Sequence, residues 1–150
     1  MDACPMTINR IHHSFIRNHP ELLEEYADEC ANANIGKPDP DWKLYEAMEQ
    51  SGLMICLGVY DSADLIGFAT ILMHIVPHYS VKVGACESLF VSRKSRSYGG
   101  WKMLKDRVKA ESTAAGCRSV IISAPLDGSL DKVMQAEGET CTNRVYTVKL

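Results

Sequence analysis

The sequence lacks most of the devices that assign a chain at a glance. It has no apolar run of the ~18 residues that a membrane-spanning helix needs. Its opening residues show no basic stretch followed by an apolar one, so no secretory signal is expected. It has no surplus of positive charge: 16 Lys and Arg stand against 19 Asp and Glu, a net charge of −3. That balance argues against nucleic acid as a partner, because proteins that coat it carry a strong basic excess. The six cysteines, Cys4, Cys30, Cys56, Cys86, Cys117 and Cys141, form no C-x-x-C pair and no Cys/His cluster at metal-ligand spacing, so no metal is expected. They read as reduced thiols of a cytoplasmic protein, with Cys56 and Cys86 in apolar runs as small core residues. Repeats, low-complexity segments and linkers are missing too. What remains is ordinary: 150 residues, 46% apolar and 23% charged, expected to fold as a single domain over residues 1–150.

Along the chain, a short strand is expected within residues 6–16. A helix follows from Pro20, with Leu22, Leu23, Tyr26, Ala27 and Cys30 as its apolar stripe. Asp39-Pro40-Asp41 predicts a second helix, with Asp39 as N-cap and Pro40 in the first helical position. Trp42, Leu44, Tyr45 and Met48 would face inward and Gly52 would close it as a left-handed cap. Residues 53–60 and 65–75 predict a hairpin about Asp61-Ser62-Ala63-Asp64. Pro77 interrupts the ladder before a third long strand over 83–91. A helix over 99–115 comes next, and then a strand over 120–124, buried on both faces. A short helix over 128–137 and an alternating final strand over 145–150 complete the chain.

Two phosphate-binding signatures are absent as well: G-x-G-x-x-G between a first strand and helix, and G-x-x-x-x-G-K-[ST]. An anion site of another kind is present. Leu89-Phe90-Val91-Ser92-Arg93-Lys94-Ser95-Arg96-Ser97-Tyr98-Gly99-Gly100-Trp101-Lys102 reads as an apolar strand, a basic loop with two glycines, and the start of a helix. Free N–H groups at a helix N-terminus attract anions, and glycine lets a phosphate come close. The element asks for a phosphate-bearing ligand.

This element, set after an antiparallel run, resembles the GCN5-related N-acetyltransferase superfamily. The likeness extends over residues 21–150. Leu89-Phe90-Val91 matches the family's strand end. Arg96-Ser97-Tyr98-Gly99-Gly100-Trp101 matches its Arg/Gln-x-x-Gly-x-Gly/Ala loop, with Trp101 in place of the last small residue unless Gly100 serves with a one-residue shift. Residues 78–91 also look like phage- or prophage-encoded members. The resemblance implies a mixed, mostly antiparallel α/β sheet, splayed in the middle, with helices on both faces. It implies acetyl-CoA as the ligand. The N–H groups of Ser97, Tyr98, Gly99, Gly100, Trp101 and Lys102 would hold the pyrophosphate. The main chain of Leu89, Phe90 and Val91 would pair with the pantetheine arm, and Arg93, Lys94, Arg96 and Lys102 would meet phosphates.

Acetyl transfer to an amine needs a neutral nucleophile, hence a proton acceptor. Glu87 is the candidate: a carboxylate in an apolar strand, just before the pantetheine-pairing segment, belongs in the cleft and not in the core. As base or as amine anchor, its role is open at this point. His78 and Tyr79, beside Pro77, would line the acceptor pocket, and His78 is an alternative base. Aligning Gly138 with the glycine that follows the family's general-acid Tyr puts Met134 at the Tyr position. The acid is then Tyr98, Tyr146, water, or no group at all. The expected acceptor is a primary amine on a small molecule or a protein, and a homodimer is compatible with the sequence. Two rivals stand beside this reading: a degenerate member that binds acyl-CoA or a protein partner without turnover, and a module for another phosphorylated ligand.

Overall fold

A computed structural model describes residues 5–150. The readings made on residues 1–4, Cys4 among them, lie outside that range. Strand β1 (Thr7–Ile11) is followed by α1 (His13–Arg17), α2 (Pro20–Glu29) and α3 (Trp42–Gln50). The strands β2 (Met54–Asp61), β3 (Asp64–Val76) and β4 (Val81–Val91) come next. A 3-10 helix (Arg93–Tyr98) leads into α4 (Gly100–Ala114), β5 (Ser119–Ile122) and α5 (Ser129–Ala136). No helix among the described residues is long and apolar enough to cross a membrane.

The strands lie side by side in chain order. The first three pairings are antiparallel and β4 meets β5 in parallel. The expected mixed, mostly antiparallel sheet is therefore present, with helices on both faces. Alternation along β2 and β3 divides the core. Leu57, Ala69 and Ile71 pack with Trp101, Leu104 and Val108 of α4 on one face. Met54, Cys56 and Phe68 pack with Ile16, Leu22 and Tyr45 on the other.

Two irregularities shape the middle of the sheet. The β4–β5 pairs run from Val83 with Ser119 only to Cys86 with Ile122, so β4 continues to Val91 with no strand on that side among the described residues. And between Thr70 and Ile71 the β3–β4 register slips: Thr70 faces Ser88, Ile71 faces Cys86, and Glu87 is the extra residue of a β-bulge. A bulge breaks strict alternation. Glu87 and Ser88, adjacent in sequence, can thus both address Thr70.

The short strand expected within residues 6–16 is β1, and α1 follows it, capped by His12, which accepts from the Ser14 N–H. Other expectations need correction. The cap of α3 is Asp41, which accepts from Lys43 N–H at 3.0 Å and Leu44 N–H at 3.2 Å, two residues past the expected Asp39. With the helix starting there, Trp42, Tyr45 and Met48 share the inner face and Leu44 is turned out, 54% exposed. β5 is a sheet edge with only one face covered: Val120 and Ile122 pack inward while Ile121 is exposed. The final strand over 145–150 does not form. Val145, Tyr146, Val148 and Leu150 are exposed, and Thr147 is tied instead to Asn34, whose amide donates to its carbonyl at 2.9 Å and its hydroxyl at 3.0 Å. An alternating segment is a strand only where a ladder receives it.

Candidate active site

The bulge presents Glu87 to the helical face of the sheet. Its Oε2 accepts from the Tyr45 hydroxyl at 2.7 Å and from the Thr70 hydroxyl at 2.6 Å. Thr70 has one proton to give, so the Ser88 hydroxyl is the donor in its 2.8 Å bond to Thr70. The relay runs Ser88 to Thr70 to Glu87, with Tyr45 closing from α3. Tyr45 is buried, and its phenol is pushed well above its ordinary pKa by that burial and by the Glu87 carboxylate it bonds. It stays a proton donor. Tyr26, on α2, is likewise raised by burial and lies within the field of Glu87. Oε1 of Glu87 has no hydrogen-bond partner among the described residues, and the residue is exposed. Two donors fix one oxygen, and none of the described residues holds the other.

Beyond Glu87 the open edge of β4 borders a cleft of about 240 Å³, lined by Leu89, Phe90, Arg93, Arg96, Trp101 and Glu29 among others. It touches the first turn of α4 at Trp101. Gly99 sits in the left-handed region (φ 81°) and caps the helix without a side chain. The first helical bond beyond it is Met103 N–H to Gly99 O, at 3.2 Å. The N–H groups of Gly100, Trp101 and Lys102 precede it and have no carbonyl one turn back to bind. A Cβ built at Gly99 would meet nothing within 4 Å, so the space above the turn is open. An uncapped N-terminus of a fifteen-residue helix, beside an unpaired strand edge, fits an anionic, extended ligand.

No family model and no curated protein matches the chain. Solved structures do. Ribosomal-protein-alanine N-acetyltransferase from Brucella melitensis biovar Abortus superposes with a TM-score of 0.75 at 18% identity, over 97% of this chain and 99% of that one. The aminoglycoside N-acetyltransferase AAC(6')-Iy, bound to a bisubstrate CoA analogue, gives 0.75 at 22% identity over 97% and 98%. Glucosamine-6-phosphate N-acetyltransferase from Arabidopsis thaliana gives 0.71 at 14% identity over 97% and 98%. The chain has the N-acetyltransferase fold.

Within this acetyltransferase fold the expected residues divide. Trp101 does not crowd the turn: its side chain is 7% exposed and packs in the main core with Leu104 and Val108. Met134 packs against the same core. The basic stretch is not a loop but a 3-10 helix, and most of its charge is already partnered. Arg96 lies 5.3 Å from the Trp101 ring and 5.5 Å from Phe90. Its Nη2 donates to both oxygens of Glu29 at 2.7 and 2.8 Å, and its Nε to the Val91 carbonyl at 2.9 Å. The Val91 carbonyl, expected to pair with the pantetheine arm, thus already accepts one hydrogen bond from the chain. Arg93 donates from Nε to Glu29 at 3.3 Å and from its backbone N–H to Glu25 at 2.7 Å. Lys102 pairs with Asp106 at 2.9 Å, while exposed Lys94 has no ion pair among the described residues. Ser97 and Tyr98 are exposed at the end of the 3-10 helix.

His78 and Tyr79 are not brought to Glu87. They sit in the β3–β4 turn, ring against ring at 4.9 Å. Six residues of extended chain, about 20 Å, separate the start of β4 from Glu87. Tyr146 belongs to the exposed C-terminal segment. Cys30 borders the cleft, but burial pushes its thiol up to about 11, so it holds no thiolate nucleophile at neutral pH. Sequence reasoning missed Tyr45, Thr70 and Glu29. Tyr45 carried only the signal of a helix position facing inward, Thr70 that of a hydroxyl inside an apolar strand, and Glu29 none.

Proposed function

We propose that the chain is an N-acetyltransferase that moves an acetyl group from acetyl-CoA to a primary amine by direct attack within a ternary complex. One observation carries the reading: a half-satisfied carboxylate, Glu87, stands where the β4 edge loses its β5 partner, and an uncapped helix N-terminus at Gly99 follows that edge after one 3-10 helix. An acyl donor with a diphosphate has a place along that edge, and an amine has a place at its start. The N–H groups of Gly100, Trp101 and Lys102 would hold phosphate, with Lys94 free to approach. The main chain of Leu89 and Phe90 would receive the pantetheine arm. Bound there, the donor supplies a reactive thioester.

Glu87 does the rest. Its free oxygen attracts an ammonium and holds it at the edge. That carboxylate would first take one proton from the ammonium, directly or through water, leaving a neutral amine. As the amine forms the carbon–nitrogen bond and the carbon–sulfur bond breaks, its second proton would go to water or to the departing thiolate. A coenzyme A thiol leaves readily, which suits a site where Met134 occupies the expected acid position. The neighbours named above are N-acetyltransferases of three unlike acceptors. They support acetyl transfer and leave the acceptor open among a small polyamine or aminoglycoside, a protein amine and an aminoacyl-tRNA.

Thermal unfolding with coenzyme A tests the first half. Ligand at 100 times its Kd stabilises by ~2.7 kcal/mol; no shift removes the donor from the reading. Release of coenzyme A with a panel of amines tests the second. Binding without turnover on any acceptor would leave the non-catalytic CoA binder, a reading that the Glu29 pairing with both arginines favours.

A further inference from the structure

Away from the cleft, two imidazoles converge on one carboxylate where β1 passes into α1. His13 Nδ1 lies 2.6 Å from Oε2 of Glu49, on α3. His12 Nε2 lies 3.6 Å from the same oxygen. The three ligand atoms all fall within 4.8 Å of one another. We propose that His12, His13 and Glu49 form a binding site for a divalent cation of the zinc class.

The argument begins with what a hydrogen bond can satisfy. A proton between His13 and Glu49 completes that pair. It does nothing for His12, whose Nε2 lies beyond hydrogen-bond distance of the same oxygen. A cation seated among the three would engage all of them. Two imidazole nitrogens and one carboxylate oxygen are a donor set suited to zinc, cobalt or nickel and poorly suited to calcium or magnesium. Tetrahedral ligation places donor atoms about 3.3 Å apart. To reach it, rotation of the exposed His12 ring would close its 3.6 Å separation from Glu49, and the 2.6 Å contact between His13 and Glu49 would open as His13 gives up the proton on Nδ1.

The surroundings hold the donors in place. His13 is 2% exposed, and its ring lies 6.1 Å from that of Trp42 at an interplanar angle of 16°. Glu49 Oε2 also accepts from the His13 backbone N–H at 3.1 Å. His12 Nδ1 is 2.9 Å from the Ser14 hydroxyl, an outer contact of the sort that orients a metal-bound imidazole. To free Nε2 for a metal, His12 must carry its proton on Nδ1 and donate to that hydroxyl. This sacrifices the 3.3 Å bond it now accepts from the Ser14 N–H. Half of the His12 side chain is exposed, which leaves a path of entry and room for a water as fourth ligand. No metal spacing is visible along the chain because the third ligand arrives from α3, 36 residues away.

The test uses the full chain without a histidine tag. Calorimetric titration with zinc chloride should show one saturable equivalent. Cobalt(II) should give visible d–d absorption that zinc abolishes. His12→Asn keeps a capping side chain and Glu49→Gln keeps an acceptor for His13, so both preserve the fold, checked by circular dichroism. Each should weaken zinc by at least tenfold, and a His74→Ala/His78→Ala double variant should leave it unchanged. Absence of a saturable equivalent, or zinc affinity retained in either His12→Asn or Glu49→Gln, overturns the proposal.

Discussion

The two ends of the β4 edge are built on opposite principles. At one end Glu87 is an anion steadied by neutral hydroxyls, those of Tyr45 and Thr70, with one oxygen left over. At the other, Arg93 and Arg96 are cations held by one anion of the chain itself, Glu29. The first arrangement orients a charge without cancelling it. The second cancels charge, so a phosphate arriving there gains little from Arg96 unless Glu29 yields. On the proposed function, the contrast would leave the phosphate grip to backbone N–H groups at the head of α4 and the amine grip to a side chain.

If that contrast is right, the largest single effect belongs to Glu87. Glu87→Gln preserves the shape and both hydrogen bonds but removes the charge. On the proposed reading kcat/KM for the best amine should fall roughly 10²–10³-fold, the range expected for losing a positioned proton acceptor. A fall of less than twofold would place the proton transfer elsewhere and dissolve the contrast.

Arg96→Ala tests the other end through stability. The guanidinium is 17% exposed, Glu29 is 21% exposed, and the pair joins α2 to the end of β4. Removing the arginine strands Glu29 and empties the space between Phe90 and Trp101. A cost of about 2–3 kcal/mol is expected, below the full cost of breaking a deeply buried pair because water reaches both groups. Urea unfolding measures it. A change under about 0.5 kcal/mol, the usual range for a surface substitution, would mean that the ion pair is ornamental.

Much of this was legible beforehand, and the misses have one origin. Glu87 stood out because a carboxylate in an apolar strand has few places to go. The strand–glycine–helix element stood out because its order is local. Tyr45 and Thr70 lie 42 and 17 residues from Glu87, and the bulge that swings Glu87 toward them has no signature in the strand. Likewise nothing in Arg93 or Arg96 announces that α2 will deliver two carboxylates to them. The strand over 145–150 failed for the converse reason. Its alternation is real, but whether a ladder receives it depends on the rest of the fold, and here Asn34 takes hold of Thr147 instead.

Smaller effects sharpen the comparison. Glu29→Gln keeps an oxygen for Arg96 and removes the competing charge. Coenzyme A should bind about three- to tenfold tighter at low salt, with the gain shrinking as salt is added. Isothermal titration at two ionic strengths measures it. Weaker binding instead would show that Glu29 serves the ligand by aiming Arg96, and the two ends would then be built alike. Tyr45→Phe takes one of two donors from Glu87 and should lower kcat/KM by less than Glu87→Gln, about three- to tenfold.

The smallest effect falls on Gly99. Its φ of 81° suits glycine, and no atom lies within 4 Å of where a Cβ would stand. Gly99→Ala therefore meets no clash, and its cost to folding is the backbone conformation alone, about 1 kcal/mol. That methyl would project into the open space above the helix N-terminus. If phosphate is gripped by the N–H groups there, coenzyme A affinity must drop by several-fold beyond what the stability change explains. Equal affinity in a slightly less stable protein would move the phosphate off the turn and back toward the arginines, reversing the assignment of the two ends.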